Sequence, residues 1–190
     1  MKRKDLEHLI RAASAITDEY EIVIIGSQSI LGAVPDAPEV FLLSREADFY
    51  PLHDPDKADL IDGAIGELSS FDQHFGYYAQ GVGPETAILP QGWQSRLVKI
   101  QNSNTDHRIG YCLSPLDLAA SKLAAGREKD YAFVRAMLNH QIVEAGDLLE
   151  VVRTLPIDAR NRDRIERWLS AGSPNLALDG EGEEIGAPKP

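Results

Sequence analysis

The run Glu21-Ile22-Val23-Ile24-Ile25, closed by Gly26-Ser27, constrains this chain more than any other segment. Consecutive β-branched residues with no polar alternation favour a strand buried on both faces. Such a strand needs helices to cover it, so the expected fold class is α/β (α+β): a mixed, twisted sheet with helices packed on it. Gly26 ends the strand where the backbone can approach a ligand closely. Ser27 then opens a short helix, to about Gly32, whose free N–H groups suit a phosphate. The same pair also serves as a plain turn and N-cap, so it marks a phosphate seat only in company.

Around this strand the chain is regular. Leu6, Leu9, Ile10, Ala13 and Ile16 recur at helical spacing and predict a first helix ending near Asp18. Val40–Leu43 and Arg45–Tyr50 read as extended chain after the prolines at 35 and 38, with the second piece alternating and stopping at Pro51. Helices are expected over 57–65 and 70–75, and strands over 77–80, 86–89, 96–101 and 108–113, separated by Gly- and Pro-rich turns. Ser114-Pro115-Leu116-Asp117 puts a cap, a first-turn proline and a first-turn acid in helix-start order. Helical segments follow near 115–125, 128–140, 144–154 and 159–170. The expected organisation is an α/β core over 1–113, a helical region packed on it over 114–176, and a disordered acidic tail over 177–190.

The alternating piece carries the second chemical signal. Glu46 and Asp48 lie two apart on a strand, hence on one face, with Ala47 and Phe49 on the other. Two such carboxylates can hold Mg2+, which usually joins one or two carboxylates to substrate phosphates. A solvent-facing strand with alternating acids would look the same, so it is the succession that counts. A strand, a Gly-Ser turn, a helix and then acid–apolar–acid on a strand together resemble the polymerase-beta nucleotidyltransferase superfamily, with glutamate at 46 where aspartate is commoner. The stretch Pro115 to Asp130, PLDLAASKLAAGREKD, resembles the second conserved block of the abortive-infection, type IV toxin nucleotidyltransferases and their uncharacterised relatives; residues 59–89, with LIDGAIG at 60–66 and GVGPET at 81–86, resemble the uncharacterised branch. The resemblance spans roughly residues 20–140.

That resemblance implies catalytic roles for Glu46, Asp48, Lys122 and Asp130, a metal on Glu46 and Asp48, and a nucleotide held by Gly26, Ser27, Lys122 and Arg127. It also implies a third carboxylate on a neighbouring strand, for which Asp72 and Glu85 are the candidates. The expected function is Mg2+-dependent transfer of a nucleoside monophosphate from a nucleoside triphosphate to an RNA or protein hydroxyl, in a toxin–antitoxin or phage-defence setting with a cognate toxin or antitoxin partner. The alternative is a lapsed antitoxin or partner-binding module; a hydrolase would need a general base, and none stands out. Without the resemblance, Lys122, Arg127, Lys129 and Asp130 would read as a solvated helix surface.

Charge and composition narrow the partners. The net charge of −11 argues against sequence-blind binding to a nucleic-acid backbone. It is unevenly spread: residues 46–90 hold nine acids against Lys57 alone, whereas 91–176 carry twelve Lys/Arg against ten Asp/Glu. Cations would collect on the first region and anions on the second. The single cysteine, Cys112, flanked by Tyr111 and Leu113, reads as a buried thiol. No segment has the apolar length of a membrane span, and the start is amphipathic, so a cytoplasmic protein is expected. The five histidines show no metal-ligand spacing and read as surface or capping residues; Trp93 and Trp168 read as packing anchors, while Tyr77 and Tyr78 are candidates to touch a nucleobase.

Overall fold

A computed structural model describes residues 1–171; the acidic tail expected at 177–190, and the last residues of the helical region, lie outside them. Helix α1 (Arg3–Thr17) buries Leu6, Leu9, Ile10 and Ala13 completely, as its spacing predicts, and ends at Asp18 in the left-handed region. Each fully buried leucine or isoleucine contributes about 1.5–3 kcal/mol relative to an exposed one. Strand β1 (Glu21–Ile25) follows, then a single 3-10 turn at Ser27–Ser29 running into the short α2 (Ile30–Ala33). Next come β2 (Glu46–Pro51), α3 (Ala58–Ile65), α4 (Ser70–Phe75), β3 (Tyr78–Gly81), β4 (Val98–Ile100) and β5 (Ile109–Cys112). The described residues end with α5 (Pro115–Ala125), α6 (Glu128–Asn139), α7 (Ala145–Val152) and α8 (Ala159–Ser170).

The strands form one five-stranded mixed sheet in the order β3-β2-β1-β5-β4. β1 is central, antiparallel to β2 and parallel to β5, and Ile22 through Ile25 are all buried. Helices α1 and α3 pack on each other and on the β2–β3 side of the sheet, while α5 gathers α6 and α7 around itself and meets the turn after β1. One apolar cluster runs through both parts, from Leu6 and Ile24 to Met137 and Ile165.

Two strand expectations fail. Residues 86–89 form no strand: Pro84 opens a 3-10 turn, and β3, the nearest edge, ends at Gly81. Glu39–Phe41 is a 3-10 turn that buries only Phe41, leaving Val40 and Leu43 exposed. The five histidines do not all lie at the surface either. His8 is half-buried among Phe71, Phe75 and Tyr77, with its Nδ1 3.0 Å from the Tyr77 hydroxyl. Cys112 is fully buried, and its thiol is pushed up to about 12 by desolvation. No described helix is long and apolar enough to cross a membrane.

Candidate functional site

The sheet register brings the two sequence signals into contact. In the β1–β2 ladder Asp48 stands opposite Ile25, one residue before the glycine turn. Gly26 adopts φ +70°, and a Cβ built on it would lie 1.9 Å from Asp48 Oδ2. Only glycine satisfies both conditions, because a side chain would be strained in this backbone and would expel the carboxylate. Gly26 thus makes room for Asp48 as well as for a ligand.

Glu46 and Asp48 share the open face of β2, while Ala47 and Phe49 are buried beneath it. Burial, reinforced by hydrogen bonding and repulsion from Glu46, pushes the Asp48 carboxyl up to about 7; Lys122 and Arg127 pull the other way. Raised in this way, the Asp48 carboxyl keeps its proton well above the usual carboxylate range, and an oxygen donor pair of this kind suits one divalent ion. Among the described residues no group of three or more His, Cys, Asp or Glu side chains could hold a metal.

Glu46 is fixed by a residue the sequence reading assigned differently. The Tyr78 hydroxyl donates to Glu46 Oε2 at 2.9 Å, and burial followed by that carboxylate raises the phenol to about 12. Tyr78 therefore positions a carboxylate, whereas Tyr77 points to His8 in the aromatic cluster behind the sheet helices. The parallel β2–β3 register also sets Gln80 beside Asp48, so β3 offers an amide and not a carboxylate at that point. Neither candidate for a third carboxylate lines the cleft: Asp72 is tied to Arg45 and caps the chain at Leu68, and Glu85 folds back over Gly83. Strand pairing at long range decides which residue sits beside Asp48, and periodicity along the chain carries no trace of it.

The cations come from α5 and α6. These are separate helices, broken at Gly126 (φ +70°), so Lys122 and Asp130 meet across a bend and not along one helical face. Lys122 Nζ donates to Ser27 Oγ at 3.0 Å and to Asp130 Oδ1 at 3.3 Å, and lies 4.4 Å from the Phe133 ring centroid. Arg127 Nε donates to Asp130 Oδ2 at 2.6 Å. Burial would raise Asp130, but Arg127 and Lys122 overcome it and hold the carboxyl below its usual range. Burial lowers the Lys122 ammonium, with Asp130 opposing. Asp130, 1% exposed with both oxygens engaged, anchors two cations.

These groups line one cleft of about 720 Å³, bounded by the turn 26–28, the open face of β2, and the start of α6. Val40, Leu43 and Phe133 give it an apolar end, and Lys129 adds a third cation. An anion-seating turn, a carboxylate pair and anchored cations around a cleft of this size can take a polyphosphate with a divalent ion. All seven site residues expected from the sequence (Gly26, Ser27, Glu46, Asp48, Lys122, Arg127 and Asp130) line it.

An α+β chain of this kind is a nucleotidyltransferase-like protein. It belongs to the family described as nucleotidyltransferase of unknown function (DUF6036), whose model matches residues 3–167. No curated protein and no solved structure matches the chain.

Proposed function

We propose that the cleft binds a nucleoside triphosphate with Mg2+ and transfers its nucleoside monophosphate to a hydroxyl, as the polymerase-beta superfamily pattern implies. The observation that carries this reading is the packing of Gly26 against Asp48, which joins the turn for phosphates to the carboxylates for a metal. Glu46 and Asp48 would hold the ion, which would supply charge neutralisation at the phosphate oxygens. Ser27 and Lys122 receive the phosphate chain, and Arg127 and Lys129 offset the charge that develops on pyrophosphate. Asp130 acts through Lys122 and Arg127, and the base lies toward Val40, Leu43 and Phe133. A toxin–antitoxin or phage-defence role rests on the resemblance of residues 115–130 alone.

One observation favours a second reading, a module that binds nucleotide without transferring it and acts through a partner: Gln80 occupies the strand position beside Asp48. Calorimetry with ATP, CTP, GTP and UTP, with and without Mg2+, tests both. The transfer reading expects saturable, Mg2+-dependent binding lost in Asp48→Asn, followed by label from that nucleotide appearing on an acceptor. Binding with no acceptor labelled would select the second reading, and no binding at all would sink both.

A further inference from the structure

The charged wall of the cleft has a second side. A smaller cavity of about 230 Å³ touches Gly26, Asp48, Lys122, Arg127 and Asp130. Glu46, Ser27 and Lys129 line only the large cleft, so metal and phosphates belong there; Asp48 lines both spaces. The small cavity therefore adjoins the large cleft at Asp48 and the Lys122–Arg127–Asp130 cluster and shares none of the apolar end at Val40, Leu43 and Phe133.

Its size and walls say what enters. At about 230 Å³ it falls below the roughly 300–1,000 Å³ of pockets that take a whole nucleotide-sized ligand. Beyond the shared charges it is walled by carbon from Ile25, Ala87, Ile88, Leu118 and Ala125, with hydroxyls from Thr86 and Ser121. Ile88 is 43% exposed at the rim. Single-stranded RNA is gripped by aromatic rings that stack bases and by a basic track along the backbone. No aromatic residue lines this cavity. An apolar body with one hydroxyl at its tip matches it instead, and the tyrosyl side chain has that form.

We infer that the small cavity is the acceptor subsite and that its acceptor is a protein side-chain hydroxyl on an apolar body, a tyrosyl side chain above all. The inference rests on the nucleotidyltransferase reading of the main cleft. In the step it implies, the acceptor oxygen forms a bond to the α-phosphorus of the bound nucleoside triphosphate. The bond from that phosphorus to the β-phosphate oxygen breaks, pyrophosphate leaves, and the hydroxyl proton passes to solvent water.

The test uses the full chain with Mg2+, α-labelled nucleoside triphosphates and two probes: N-acetyltyrosinamide, and an RNA oligonucleotide with a free 3′ end. Label is expected on the phenol and not on the RNA. Ile88→Trp, which fills the mouth from an exposed position, should cut transfer at least about tenfold while the nucleotide Kd stays within about twofold. Ala125→Phe fills the cavity from the end of α5 and replaces Ile88→Trp if that variant melts early. Label on RNA, label on the phenol that both filling variants leave unchanged, or nucleotide binding with neither probe labelled would each overturn the acceptor assignment while leaving the nucleotide site standing. Failure to bind any nucleotide would remove both.

Discussion

At the scale of single residues, the position that couples fold to chemistry is Gly26. Its positive φ and its contact with Asp48 are separate constraints, and they can be measured separately. Gly26→Ala should cost about 1–3 kcal/mol in urea unfolding from the backbone strain, with a further contribution from the displaced carboxylate. In an Asp48→Ala background the second contribution vanishes, so the same substitution should cost measurably less. Equal costs in both backgrounds would mean that the carboxylate moves aside freely. The pair Glu46/Asp48 was legible in the sequence because alternation on a strand is a local property. Tyr78 and Gln80 were not assigned their places, because a hydroxyl bonding a carboxylate 32 residues away depends on which strands pair and in what register.

At the scale of elements, helix starts were the most legible feature and isolated extended segments the least. Ser114 caps α5 by accepting from the Asp117 N–H, with Pro115 in the first turn, as the sequence order predicts. Residues 86–89 and 40–43 have strand-like composition but no neighbouring strand to complete their hydrogen bonds, and composition cannot reveal that. What the cap sequence did not reveal is the ion pair built on it. Asp117 is 0% exposed and receives Arg96 through both Nε and Nη2, at 3.0 Å and 2.6 Å, together with the Ser114 hydroxyl at 2.6 Å. Removing one partner of a buried pair leaves an uncompensated charge or an empty polar site. With Asp117 buried but Arg96 36% exposed, Arg96→Ala should destabilise the protein by about 1–3 kcal/mol, and Arg96→Met with Asp117→Leu together by less than Arg96→Ala alone. Chemical denaturation of the three proteins decides it; a cost for Arg96→Ala below about 1 kcal/mol would mean the pair behaves like a surface bridge.

For the whole molecule, the class of fold followed from the buried strand and the helical spacings, and the seven residues singled out from the sequence line one cleft. The exact route of convergence did not follow, since Lys122 and Asp130 meet only because Gly126 turns the chain between two helices. A site assembled this way should oppose the stability of its own fold. Asp48 titrates near 3.8 when unfolded and at about 7 when folded, so between those values the folded protein holds the extra proton. Stability from this group is complete below about pH 4, falls as pH rises through about 7, and levels off above. Glu7 and Asp130, both lowered, act at the acid end: their contribution is present above the ordinary carboxylate range and is lost as pH falls below it. His8, lowered by burial, opposes Asp48 over part of the same window, so the diagnostic quantity is a difference between proteins. In EDTA, the urea midpoint of the wild type relative to Asp48→Asn should decline from about pH 5 to about pH 8. Above about pH 7 the asparagine variant should be the more stable of the two, because it keeps a donor for Glu46 without a buried second charge. A difference that stays constant across the range would show that Asp48 is ionised throughout, and that the carboxylates repel too weakly to need a cation.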